Sequence, residues 1–194
     1  MKKIDKSNIP ILSFASPKEW EQWLAINYTN ANGIWIRFFK KGSAVSSVTY
    51  TQALDEALCY GWIDGQKKLF DKQSYLTKYT PRRAKSIWSK KNIEHVARLY
   101  KLGKMKPSGI QEAENAKADG RWDRAYDSPS NMKIPDDFLK KLSQNKKAKT
   151  FFDTLNKTNT YAITWRLQTA KKLETREKRM EQLIEMLSQE KKFH

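Results

Sequence analysis

At 194 residues the chain has length for one domain, or one domain with a small appendage, and its 39% hydrophobic and 12% aromatic residues argue against intrinsic disorder. Thirty-eight Lys and Arg against 21 Asp and Glu leave a formal charge of +17, so a polyanion, a phosphate-bearing ligand or an acidic protein patch is the expected partner. Cys59 is the only cysteine, which excludes an intramolecular disulfide.

The start, Met1-Lys2-Lys3-Ile4-Asp5-Lys6, is charged with no apolar run behind it, and no stretch has the length of a signal-peptide core or a membrane span. The expectation is a soluble, cytoplasmic protein. Ser16-Pro17-Lys18-Glu19 predicts a helix start: Ser16 as cap, Pro17 in the first position and Glu19 closing a capping box. Trp20, Trp23, Leu24 and Tyr28 follow at helical spacing, and Asn32-Gly33 marks the end. Ile34–Phe39 is aromatic and β-branched on both faces apart from Arg37, which suggests a central strand covered on both sides.

Thr49-Tyr50-Thr51-Gln52 predicts a second capping box, opening a helix through Ala53, Leu54, Ala57 and Leu58 towards Gly61. Asp64-Gly65 reads as a turn, with Gln66–Phe70 and Tyr75–Thr80 pairing as strands up to Pro81. Ser89 is placed as the cap of a helix whose core face is Ile93, Val96, Ala97 and Tyr100, ending before Gly103. An Ala-rich helix follows Pro107-Ser108 and stops at Gly120. Asp127-Ser128-Pro129-Ser130-Asn131 is the clearest linker, and residues 135–190 beyond it show only helical periodicity, including Met180, Leu183, Ile184 and Leu187. The expected class is α+β, a small mixed sheet packed with helices and followed by an all-helical C-terminal unit. The expected organisation is a body over residues 1–127, a linker over 128–134 and a helical unit over 135–194. There is no internal repeat and no low-complexity tract.

Four stretches resemble the YdeI/OmpD-associated, or bacteriocin-protection, family. They are Glu56-Ala57-Leu58-Cys59-Tyr60-Gly61-Trp62-Ile63-Asp64; Thr80-Pro81-Arg82-Arg83 with Ser86-Ile87-Trp88-Ser89-Lys90-Lys91-Asn92; Gly120-Arg121-Trp122-Asp123-Arg124-Ala125-Tyr126; and Ala170–Arg179. The likeness runs from about residue 16 to residue 190. It implies an α+β fold and a part in protection against bacteriocins or cationic antimicrobial peptides, and it supplies no catalytic residue, cofactor or substrate. A fainter similarity to YdhG-like proteins, some described as iron chaperones, finds no acidic cluster of the kind hard iron sites favour.

Residues 65–106 hold ten Lys and three Arg against Asp71 and Glu94, a net +11, so most of the charge imbalance sits there. The candidate ligand-binding residues are Tyr60, Trp62, Asp64, Arg82, Arg83, Lys85, Trp88, Ser89 and Lys90. Arg forks match phosphate oxygens, a capped helix start adds free N–H groups, and Trp62 and Trp88 would supply flat walls around Asp64. The plainer reading is a helix C-cap, a core Trp, an Asp-Gly turn and a solvated basic face over Trp88.

No Gly-rich phosphate loop is present. Cys59 lies on a core face and reads as a small buried hydrophobe rather than a nucleophile. His95 reads as a surface or boundary residue, and one Cys with one internal His cannot build a typical zinc site, so neither a metal nor a cofactor is expected. Trp122 reads as a loop anchor, and the Lys171, Lys172, Arg176, Lys178, Arg179 cluster, interleaved with Glu174, Glu177 and Glu181, as a solvated helix face. The leading expectation is a non-enzymatic binding or protection protein whose basic aromatic cleft takes nucleic acid, a phosphorylated metabolite or an acidic partner. One alternative is an enzyme using Asp64 as base and Arg82 to orient an anionic substrate; another is an interaction module working through the C-terminal helices.

Overall fold

The computed structural model describes residues 9–194; the charged start Met1–Lys6, read above for export signals, lies outside them. The chain forms two compact units. One runs to Trp88 and resumes over Asn92–Arg124; the other joins Ser89–Lys91 to Ala125–His194.

The first unit is built on a four-stranded mixed sheet of order β1-β2-β4-β3. β1 (Ile11–Leu12) pairs parallel to β2 (Ile34–Phe39), while β4 (Ser74–Pro81) runs antiparallel between β2 and β3 (Trp62–Leu69). Strand residues alternate between faces, and β2 shows it: Ile34, Ile36 and Phe38 are buried, Trp35, Arg37 and Phe39 only half-buried. Two helices, α1 (Pro17–Asn27) and α2 (Tyr50–Cys59), supply rings and backbone groups to the buried face. Trp20 of α1 lies 5.8 Å from Tyr79 and 6.4 Å from Trp62, and its indole N–H donates to Ala53 O of α2 at 3.0 Å.

The expectation of a β2 covered on both sides is therefore corrected. Its second face is lidded by cations: Lys68 Nζ sits 4.3 Å over Trp35, and the Arg37 guanidinium 4.5 Å over Phe39. Long side chains spread their stems over apolar surface while keeping the charge wet, which lets an aromatic strand face solvent.

Both helix starts follow from local chemistry. Ser16 accepts the Glu19 N–H, but Glu19 reaches back to the N–H of Ala15 rather than Ser16, so its box closes one residue early. At α2 both halves of the Thr49/Gln52 box form. α1 ends at Asn27, five residues before Asn32. Asp64-Gly65 is no turn but lies inside β3, where the register shifts by a bulge between Asp64 and Lys67. In α3 (Lys90–Lys101) the buried residues are Val96 and Leu99, and Tyr100, read as core, is 64% exposed. α4 (Pro107–Ala118) ends through Asp119 into Gly120, whose φ of 71° suits glycine.

The second unit contains α5 (Asp136–Ser143), α6 (Lys146–Asp153), α7 (Lys157–Gln168) and α8 (Leu173–Ser188), with no strand over residues 135–190. Its core joins Phe138, Leu142, Phe152, Ile163, Leu167, Met180, Leu183 and Leu187. The exposed face of α8 is mixed in charge: Arg176 pairs with Asp137, and Glu181 with Lys141 at 3.2 Å. Among the described residues no helix is long and apolar enough to cross a membrane.

Candidate anion-binding surface

The segment Cys59–Asp64 closes α2 onto α4. The last carbonyls of a helix lack intrahelical partners, and here donors from the start of α4 and from just beyond β4 satisfy this segment. Lys106 N–H donates to Cys59 O at 3.0 Å, the Ser108 hydroxyl to Tyr60 O at 3.0 Å, and Arg82 N–H to Gly61 O at 3.0 Å. Gly109 makes this approach possible, because a Cβ there would stand 2.2 Å from Cys59 O.

The chemistry-bearing residues of this joint are committed to the fold. Cys59 is free and buried, its thiol pushed up to about 12 by desolvation and then by Glu56 and Asp55. The Tyr60 hydroxyl donates to Glu21 at 2.7 Å, and burial followed by that bond raises it above the ordinary phenol range. Glu21 is held below the ordinary carboxylate range by Tyr60 first and Lys106 second. Trp62 is 1% exposed, with its indole N–H on Tyr28 O at 3.1 Å. Half-buried Asp64 accepts the Tyr50 hydroxyl at 2.6 Å.

The basic residues beyond β4 divide into buried cations that hold structure and exposed cations that do not. Arg82 is 7% exposed, and its guanidinium lies 3.5 Å from the Trp88 ring centre. Trp88, itself buried, packs against Trp122 with ring centres 5.0 Å apart and planes tilted by 54°, and Lys117 Nζ lies 5.4 Å over Trp122 on α4's side. The result is a column in the order Arg82, Trp88, Trp122, Lys117. A cation over an indole face is worth up to about 2 kcal/mol when desolvated. Arg121, also buried, grips the Asp119 carboxylate and donates to Ser86 O at 3.0 Å.

The loop 82–87 is thus pinned by Arg82 at one end and Arg121 at the other, with a tight turn closed by Ser86 N–H on Arg83 O at 2.8 Å. Arg83 and Lys85 point into solvent from this fixed loop. Beside the column, α3 and α4 enclose a groove of about 360 Å³, walled by Trp122, Tyr100, Met105 and Ile110 and edged by Lys101, Lys117 and Glu114.

The other two expected residues belong to the second unit. Ser89 forms an isolated bridge with Tyr126, and Lys90 pairs with Asp127 at 2.8 Å. Asp127 is held below the ordinary carboxylate range by Lys90 and then Gln168. Of the nine candidates, then, Tyr60, Trp62 and Asp64 sit at the α2–α4 joint, Arg82, Arg83, Lys85 and Trp88 in the pinned loop, and Ser89 and Lys90 in the other unit. Their sequence proximity gave no hint of Lys117 and Tyr100, which only helix pairing brings to the column and its groove. Gly120-Arg121-Trp122 carried the one available signal, a Trp behind a helix-ending glycine.

His95 lies at a boundary, with Nδ1 2.8 Å from Asp55, and Arg98 binds the same carboxylate at 2.6 Å. Among the described residues no cluster of three His, Cys, Asp or Glu could hold a metal ion.

Comparison with known families divides the chain much as the structure does. Residues 12–112 match a family described as a domain of unknown function, DUF8412. Residues 131–190 match the family described as "Bacteriocin-protection, YdeI or OmpD-Associated". The second match is narrower than the resemblance read above: Glu56–Asp64 and Thr80–Asn92 fall in the first domain, and Gly120–Tyr126 between the two. No curated protein and no solved structure matches the chain.

Proposed function

The chain belongs to the DUF8412 family and carries a YdeI/OmpD-associated, bacteriocin-protection domain at residues 131–190, and on that premise we propose that it is a binding protein whose N-terminal unit takes an anionic ligand. The observation that carries this reading is the pinned loop: buried Arg82 and Arg121 spend their charge on structure, while Arg83 and Lys85 stand exposed on a rigid support. A preordered cation loses less freedom on binding than one on a mobile tail.

Charge also restricts what protection can mean. A chain of net +17 repels cationic peptides, so direct capture of such a peptide works against its electrostatics. Protection through an anionic target, whether nucleic acid, a phosphate-bearing molecule or an acidic protein, works with them. The ring faces of Trp62 and Trp88 are occupied by the core and by Arg82. Trp122 lies between Trp88 and Lys117, so flat contact to a ligand falls to the exposed Tyr100 at the α3–α4 groove. A reducing, cytoplasmic setting suits the lone buried thiol of Cys59.

The test is titration calorimetry at low salt with three probes: inorganic polyphosphate, a duplex oligonucleotide and an acidic peptide. The reading expects at least one to bind with an affinity that falls as salt rises. Failure of all three reduces the exposed cations to a solubility feature.

A further inference from the structure

The C-terminal unit holds a second cavity, remote in chemistry from the basic loop. A groove of about 840 Å³ lies between residues 129–134 and the first turns of α7. Its size is within the range of small-molecule sites. Met132, Ile134, Leu139 and Leu155 give it an apolar floor, and Tyr161 adds a ring. Burial raises the Tyr161 hydroxyl above its ordinary value, consistent with a partly dry wall.

The polar part of the lining has one sign. Lys133 and Lys157 are its charged members, both exposed, and no carboxylate lines the groove. The hydroxyls of Thr160 and Thr164 are spent on the carbonyls of Asn156 and Thr160. Those of Thr158 and Tyr161 have no bond among the described residues. Lys157 and Thr158 also open the 12-residue helix α7, whose Asn156 cap takes the N–H of Asn159, so the positive end of the helix dipole adds to the two lysines.

Floor and rim together select a ligand. A bare inorganic anion would leave the floor wet, a neutral lipid would make no use of the lysines, and a cationic amphiphile would meet like charge. We propose that this groove binds a single-chain amphipathic anion of the long-chain carboxylate class, with its chain on Met132, Ile134, Leu139 and Leu155 and its head group at Lys133 and Lys157.

Titration calorimetry on the full chain tests this with octanoate, decanoate and dodecanoate kept below micelle formation. At about 0.8 kcal/mol per buried methylene, affinity rises about fourfold per CH₂ and about 15-fold per two-carbon step. Dodecanol should bind more weakly than dodecanoate, and dodecylamine at least about tenfold more weakly. The exposed pair Lys133→Ala/Lys157→Ala should remove the preference for carboxylate over alcohol and leave dodecanol affinity unchanged. Arg83→Ala/Lys85→Ala should leave dodecanoate binding intact, which separates this site from the loop in the other unit. Equal affinity for dodecylamine, no chain-length dependence, or an unaffected Lys133/Lys157 double variant would each overturn the proposal. So would binding of an acidic octapeptide, or of anionic vesicles, without binding of monomeric dodecanoate.

Discussion

Gly109→Ala should unfold the N-terminal unit at markedly lower denaturant. In an exposed helix interior this change normally stabilises by about 1 kcal/mol, because alanine has the better helix propensity. Here the new Cβ would stand 2.2 Å from Cys59 O, 2.7 Å from its carbonyl carbon and 2.7 Å from Leu58 O. Backbone carbonyls cannot rotate away as a side chain would, so α4 must back off by roughly 1 Å before that contact becomes tolerable. Backing off weakens the bonds from Lys106 N–H and the Ser108 hydroxyl to Cys59 O and Tyr60 O, both 3.0 Å long. Overpacking costs about 1–3 kcal/mol and two weakened bonds about 1–2 kcal/mol more. Less the propensity gain, the net loss is about 1–4 kcal/mol. Urea unfolding followed by tryptophan emission reports on this unit, since Trp20, Trp23, Trp35, Trp62, Trp88 and Trp122 all lie in it. Ser108→Ala, which removes one bond without a clash, should cost about 1 kcal/mol. A neutral or stabilising Gly109→Ala would refute the close approach of α4 to the end of α2.

The buried Cys59 thiol, pushed up to about 12, should react with thiol reagents slowly in the native protein and fast in denaturant, and rapid native labelling at neutral pH would contradict its burial. The same shift predicts that stability falls as pH rises from about 9 towards 12, since only the unfolded thiol ionises there; Cys59→Ala should flatten part of that slope. For Glu21 the sign reverses: its lowered value means stability present above the ordinary 4.5 and lost as pH drops below it. Tyr60→Phe should shrink that acid-side loss and cost about 1 kcal/mol or less at neutral pH, given the partial exposure of Glu21; an unchanged acid limb would show that the Tyr60–Glu21 bond is not formed. Limited proteolysis should cut first at Ser128–Asn131, where the chain is polar and mostly exposed, and earlier cleavage within Arg82–Trp88 would argue that the loop is not pinned.

What could be read from residues in order was whatever local chemistry decides. The Thr49/Gln52 box formed as expected because both its bonds close within four residues, and the β3–β4 pairing followed from two segments, Gln66–Phe70 and Tyr75–Thr80, flanking the polar Asp71-Lys72-Gln73-Ser74. Asp64-Gly65 misled because its turn signal is local while the pairing of Asp64 with Tyr79 is not. The bulge between Asp64 and Lys67 absorbs the irregularity that the glycine announces. Tyr100 misled for a related reason: Ile93, Val96, Ala97 and Tyr100 lie on one stripe, yet Val96 and Leu99 are the residues that face the core. At the candidate site, the positive charge of Arg82 and Arg83 was visible, but its division into a buried cation and an exposed one was not. That division depends on Trp88 meeting Trp122, 34 residues later, and on Arg121 reaching Ser86 O.

The central claim, that the exposed cations of the pinned loop grip an anionic ligand, is tested most directly by the salt dependence of binding to a duplex oligonucleotide. Fluorescence anisotropy across a salt series should show log affinity falling linearly with log salt. Arg83→Ala/Lys85→Ala should make that slope shallower by about two units, with little change in sequence preference, because each lost phosphate contact removes about 0.9 of slope. Lys171→Ala/Lys172→Ala, which removes the same charge from exposed positions in the other unit, should leave the slope nearly unchanged. Equal losses from the two double variants would mean that net charge alone attracts the polyanion and that the loop is no site.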